Sequence, residues 1–133
     1  MKNKLKLYVG CGLTNAPDSF CDQVAELKEM FRGEYEVFDF VGKVSGTAEE
    51  VYRWDIERCV ATCDVFLAVC DYASTGLGWE LSEAIGRGKR VIGVAHDDAV
   101  ISRLIIGAAE VKPNFSFHRY QNFLEEVPAL LVT

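Results

Sequence analysis

D-V-F-L-A-V-C-D-Y-A-S-T-G-L-G-W-E-L, Asp64 to Leu81, is the stretch whose reading decides the fold. Its first part, Asp64 to Cys70, is the most apolar segment of the chain and carries apolar side chains at odd and even positions alike. That pattern predicts a central strand buried on both faces, which belongs in a parallel sheet. Gly76 to Gly78 then predict a tight loop, and Trp79 to Gly86 a short helix. A strand of this kind feeding a helix is half of a parallel βαβ unit.

The flanks repeat the alternation. Lys4 to Gly10 has short period-two character and reads as strand one. Pro17 stands where a first helical residue belongs, with Asp18 beside it to meet the positive end of the helix dipole. Phe20, Val24, Leu27 and Phe31 follow at helical spacing, and Gly33 ends the run. Tyr35 to Phe40 is strand two, followed by a loop over Val41 to Gly46. Thr47 with Glu50 is a capping-box pattern opening a helix that carries Val51, Trp54, Ile56 and Val60. Beyond the central strand, Arg90 to Ala95 is strand four, Ala99 to Ala109 a helix and Phe115 to Tyr120 strand five. A last apolar-faced helix runs from Phe123 to Leu131 with Pro128 inside it, where proline opposes the helix.

Five strands each followed by a helix predict a doubly wound, three-layer α/β fold. Its five parallel strands form a flavodoxin- or Rossmann-like sheet, in one domain over residues 1–133. Ligands of such sheets sit beyond the carboxyl ends of the strands, near the switch in strand order. Composition narrows the partners. The chain has 133 residues, and 14 basic against 20 acidic residues leave a net charge of -6. That balance argues against a nucleic-acid polymer and against a polybasic membrane patch. The longest apolar run, Val65 to Cys70, is far short of a bilayer span. Leu5 to Gly10 is too short, and too interrupted by Lys6, for a signal peptide. A cytoplasmic location is the expectation. The five cysteines, Cys11, Cys21, Cys59, Cys63 and Cys70, contain no C-x-x-C pair and read as reduced thiols. A zinc site on Cys59 and Cys63 with His96 or His118 is the weaker reading.

Three places hold candidate chemistry. After strand one, G-C-G-L-T-N-A-P (Gly10 to Pro17) opens like a dinucleotide fingerprint, but Asn15 stands where the third glycine should be. There, backbone N–H groups near Gly10 and Gly12 and the Thr14 hydroxyl can approach a ligand. A plain strand-to-helix turn explains the same residues. After strand three, Gly76 and Gly78 let the main chain lie against a ligand, Ser74 and Thr75 offer hydroxyls, and the helix start offers free N–H groups to an anion. Glu80 falls in the first turn of that helix, where complementing the helix dipole is the ordinary reading and a catalytic carboxylate the sharper one. Glu83 shares its face as a decoy. Asp55 or Asp64 is placed to approach Glu80 across the crevice, or to remain on the surface. Two carboxylates, one nucleophilic and one hydrogen-bonding, are what cleavage of a sugar's glycosidic bond requires.

S-T-G-L-G-W-E-L-S-E-A followed by G-K-R-V-I resembles the core motif of the nucleoside 2-deoxyribosyltransferase superfamily, nearest to its 2′-deoxynucleoside 5′-phosphate N-hydrolase branch. The resemblance runs from strand one to about Gly107 and is specific from Asp64 to Val91. It implies that Glu80 is a nucleophile forming a covalent glycosyl-enzyme, with Tyr8 beside it and Asp55 contacting the sugar or supporting proton transfer. Ser74, six residues before Glu80, matches the phosphate-contacting serine of the hydrolases; the transferases tend to carry aspartate there. V-I-S-R-L-I-I-G-A (Val100 to Ala108) places Ser102 as a phosphate contact reaching a partner subunit, and so implies a homodimer. No metal or organic cofactor is implied, because carboxylates carry the chemistry. The implied activity is N-glycosidase action on (deoxy)nucleoside 5′-monophosphates. Deoxyribosyl transfer between free nucleosides, or nucleotide binding without turnover, are the alternatives.

Two departures stand out. The family aspartate precedes the strand-three aspartate by eight residues, whereas Asp55 precedes Asp64 by nine, so the intervening helix must absorb one residue. The serine and arginine that normally follow the tyrosine are replaced around Gly12, Leu13 and Thr14. Without that arginine the phosphate loses a bidentate clamp, which leaves room for a ribonucleotide or a modified nucleotide.

Overall fold

The computed structural model describes residues 3–39 and 46–132. The element order is β1 (Leu5–Cys11), α1 (Asp18–Phe31), β2 (Tyr35–Val37), α2 (Ala48–Tyr52), a π-helix (Arg53–Val60), β3 (Val65–Val69), α3 (Thr75–Gly86), β4 (Arg90–His96), α4 (Arg103–Val111), β5 (Phe115–Tyr120) and α5 (Phe123–Leu131). The strands form one sheet in the order β2-β1-β3-β4-β5. Every pairing is parallel. The strand order reverses at β1 and β3, so the crevice for a ligand opens beyond Cys11 and Val69.

Strand periodicity sorts the core into two layers. Leu7, Val9, Val65, Leu67, Val69, Ile92 and Val94 face α1 and α5, where Phe20, Val24, Leu27, Val127 and Leu131 meet them. Tyr8, Phe66, Ala68, Cys70, Val91 and Ala95 face the other way, against Ile56, Cys59 and Val60 of the π-helix and Leu77, Leu81 and Ala84 of α3. All five residues of β3 are buried, as its apolar run predicts.

Local sequence explains most boundaries. Pro17 is the N-cap of α1 rather than its first residue. The Thr47–Glu50 capping box forms in both directions. Pro128 lies inside α5, which the buried Phe123, Val127 and Leu131 hold against the sheet despite the missing N–H donor. β2 is shorter than expected; the end of the predicted strand and most of the loop after it lie outside the described residues.

Two expectations need correction. Gly76 and Gly78 do not form a loop: α3 begins at Thr75, capped by Ser74, whose Oγ accepts from the Leu77 N–H at 3.3 Å. Burial of Leu77 draws both glycines into the first helical turn, and neither has positive φ. The helix predicted from Ala99 starts only at Arg103, because Ser102 caps it by accepting from the Leu104 N–H. Among the described residues no helix is long and apolar enough to cross a membrane.

Candidate active site

Glu80 occupies an unusual place on its helix. The buried residues of α3 are Leu77, Glu80, Leu81 and Ala84, which is the i, i+3, i+4, i+7 stripe that normally holds only apolar side chains. A carboxylate in that stripe must find a partner, and it does. The Tyr8 hydroxyl, projecting from β1 on the same face of the sheet, donates a hydrogen bond to Glu80 Oε2. Tyr8 is itself locked in place: its ring stacks on Phe66 at 5.3 Å and meets the edge of Phe38 at 6.5 Å.

Asp55 stands across the cleft, on the π-helix. The helix spans Arg53–Val60 and holds Asp55 in its first turn. A π turn accommodates one more residue than an α turn, and a single such insertion in an otherwise α-helical segment is a recurrent feature of functional sites. The stretch Arg53–Val60 adopts that wider turn and carries Asp55 toward the cleft. Asp55 and Glu80 line one cleft of ≈ 390 Å³ together with Val51, Tyr52, Gly76 and Trp79. Cavities that hold small ligands run from about 300 to 1,000 Å³.

The electrostatics follow from burial. Desolvation pushes Glu80 up to about 7, helped by the Asp55 charge and opposed by the Tyr8 hydrogen bond. Burial also raises Asp55. Tyr8 is raised by its own burial and by the Glu80 carboxylate, so it stays a protonated donor. Beneath them Cys59, fully buried, is pushed up to about 12 by desolvation and then by Asp55 and Glu80. The arrangement is a dry carboxylate held by a phenol, facing a second carboxylate across a space open to a ligand.

Other candidates fall elsewhere. Asp64 lies at the opposite end of β3, where its Oδ2 accepts from the Lys6 N–H at 2.7 Å. Glu83 turns to Arg87 at 3.2 Å. Trp54 donates its indole N–H to the Asp39 carbonyl at 2.8 Å, while Trp79 is 58% exposed at the cleft. Gly10, which lies within β1, and Gly12, just after it, have packing reasons. A Cβ at Gly10 would meet the Phe66 ring at 2.7 Å, and one at Gly12 would lie 2.2 Å from the Tyr72 carbonyl oxygen. Thr14 is exposed in the turn beside Asn15, whose φ is 65°. Ser102 lies outside the cleft, at an apolar groove between α3 and α4. All five cysteines are free thiols. Among the described residues no three histidine, cysteine or acidic side chains converge as metal ligands.

Val51 and Tyr52 also line the cleft and Cys59 lies under the acid pair, with nothing local in the sequence marking them as site residues. Val51 is legible only as part of a helix face, and Cys59 only through its i, i+4 spacing from Asp55.

No protein-family model matches the chain, and no curated protein is significantly similar to it in sequence. Solved structures are similar in fold. A CMP N-glycosidase of Clostridium botulinum, BcmB, superposes with a TM-score of 0.71 at 18% identity, over 95% of this chain and 99% of that one. A 2-desoxiribosyltransferase from Leishmania mexicana gives 0.59 at 14% identity, over 92% and 85%. A conserved protein from Enterococcus faecalis V583 gives 0.54 at 14% identity, over 97% and 88%. The chain therefore has the α/β fold of these proteins.

Proposed function

We propose that the chain is an N-glycosidase cleaving the bond between base and sugar in (deoxy)nucleoside 5′-monophosphates. The observation that carries the reading is Glu80, a buried carboxylate held by Tyr8 and opposed by Asp55 at the wall of a ligand-sized cleft. The neighbouring folds, one a CMP N-glycosidase and one a 2-desoxiribosyltransferase, support chemistry at a nucleosidic bond.

In this reading ionised Glu80 attacks the anomeric carbon as the bond to the base nitrogen breaks, and the bonding pair leaves with the base. The product is a glycosyl ester on Glu80, and water then releases the sugar phosphate. Tyr8 fixes the attacking oxygen. Asp55 holds sugar hydroxyls or supports proton transfer. The carboxylates do the chemistry without metal or organic cofactor. The phosphate meets the Ser74 hydroxyl hydrogen and the N–H groups of the α3 start near Gly76. The Gly78 N–H already donates to the Ser74 carbonyl at 3.1 Å, so Gly78 contributes only its lack of a side chain. The end of β1 at Gly10 and the turn through Gly12 to Thr14 close the same end. Trp79 offers a ring face to the base.

The working unit in this reading is a homodimer. α4 has no buried residue although it is strongly apolar, and Leu104 is 82% exposed. A second copy covering the α3–α4 groove would bury that face and bring Ser102 toward the neighbouring cleft. The reaction is placed in the cytoplasm, where free thiols stay reduced.

Chromatography of base released from a panel of nucleoside 5′-monophosphates, with Glu80→Ala as control, tests the proposal. Release by the wild type alone supports it. Exchange of one free base for another on a deoxynucleoside would instead make the chain a deoxyribosyltransferase. Binding without release by either protein would make it a non-catalytic module.

A further inference from the structure

The sheet's carboxyl end carries a second cavity that the proposed reaction does not use. It lies on the α1/α5 side, has a volume of ≈ 540 Å³, and is lined by Gln23, Asp71, Tyr72, His96, Tyr120 and Asn122 among others. Asp71 organises it. Its Oδ2 accepts from the Tyr120 hydroxyl at 2.5 Å and from the His96 backbone N–H at 3.2 Å. Its Oδ1 is buried with no donor among the described residues. A buried carboxylate oxygen left unpaired in this way calls for a further donor, which a ligand or an ordered water supplies.

The walls specify the rest. Tyr72 packs edge-on against Phe20 at 4.9 Å, and Tyr120 against Phe123 at 5.3 Å and His96 at 5.7 Å, so one side of the cavity is aromatic. The Gln23 amide donates to the Tyr120 hydroxyl oxygen, and the Asn122 side chain makes no cap bond to α5. Gln23 thus holds Tyr120 in place, and the Asn122 amide is not engaged at the helix start. No lysine or arginine lines the cavity among the described residues, while Asp98 adds a second carboxylate at its rim. Arg119, the neighbour of Tyr120, binds the carbonyls of His96 and Ala99 instead. A phosphate would meet two carboxylates and no cation there.

We propose that this cavity is a second ligand site, taking a small planar ring that carries N–H donors and no phosphate, with the donor on Asp71 and the ring against the aromatic wall. A free nucleobase and a cationic amidine share that chemistry. The site stands apart from the cleft of Glu80 and does not depend on turnover there.

The test uses the full chain with Glu80→Gln, titrated separately with cytosine, adenine, benzamidine and inorganic phosphate and followed by NMR. The His96 ring proton and the Asn122 amide report on this cavity, and the Trp79 indole N–H on the other. Saturable shifts at His96 and Asn122 with a base or with benzamidine are expected, and which of them binds distinguishes heterocycle from cation. Asp71→Asn should weaken that binding about tenfold or more. Gln23→Ala, on a more exposed helix face, should weaken it too and carries the test should Asp71→Asn fail to fold. The proposal is overturned if no ring probe shifts His96 and Asn122, or if only Trp79 responds. Phosphate binding in preference, or affinity unchanged in the variants, overturns it equally.

Discussion

Tyr8 and Glu80, 72 residues apart in sequence, meet through one hydrogen bond on the face of the sheet that carries the π-helix and α3. The phenol comes from the alternation of β1 and the carboxylate from the apolar stripe of α3, so neither side chain can leave without unpacking its own element. The bond lowers the proton affinity of Glu80 while burial and Asp55 raise it.

Tyr8→Phe removes the donor and leaves the Glu80 carboxylate buried and unpaired. Unfolding in denaturant should show a loss of about 1–3 kcal/mol at neutral pH. Base release should fall, and its acid limb should move to higher pH, because the one influence lowering Glu80 is gone.

Asp55→Asn should shift that limb the other way. Removing the Asp55 charge lets Glu80 ionise more readily, while loss of the second carboxylate slows turnover by about 100-fold. The pH–rate profiles of the two variants, measured side by side, should therefore move in opposite directions. A shift of both in the same direction would sink the assignment of Asp55 as the opposing charge.

Wild-type activity should drop as pH falls through about 7, where the nucleophile takes up its proton. Stability should run in the opposite sense. The folded pKa of Glu80 lies above the unfolded value, so the folded state binds more protons between about 4.5 and 7 and loses stability as pH rises through that window. The loss from this one group is on the order of 3 kcal/mol. Glu80→Gln abolishes it, so thermal unfolding at several pH values should show the variant gaining on the wild type as pH rises.

Gly12→Ala would put a methyl group where the Tyr72 carbonyl oxygen sits, 2.2 Å away. The turn after β1 and the loop after β3 must then separate, at about 1–3 kcal/mol. Calorimetry should show that loss; an unchanged melting temperature would mean the two loops already part freely.

Leu104→Arg places a charge on the apolar face of α4. Equilibrium sedimentation should show a dimer for the wild type and a monomer for the variant. A monomeric wild type at working concentrations would remove Ser102 from any neighbouring site.

Much of this molecule is written locally. The apolar run of Val65 to Val69 fixed the central strand, and Thr47 with Glu50 fixed the start of α2, because burial on two faces and a capping box each involve residues close in sequence. The glycines at 76 and 78 misled, since the helix that contains them is held by Leu77 in a core formed by other elements. Glu80 was legible as a candidate, with dipole complementarity in a first helical turn as the leading alternative; α3 starts already at Thr75, which puts Glu80 beyond that turn.

The sequence by itself determined the alternation of strands and helices, the parallel sheet and the short set of polar residues able to do chemistry. Hydrophobic periodicity and capping act over a few residues, so they are readable from the chain. Only the tertiary structure decided which carboxylate faces Glu80. It brought Asp55 to the cleft through the π-helix, sent Asp64 to the far end of the sheet, and paired Tyr8 with Glu80. It also gathered Gln23, Asp71, His96 and Tyr120 around a second cavity. Those meetings depend on how distant elements cross over a common sheet, and no spacing along the chain encodes them.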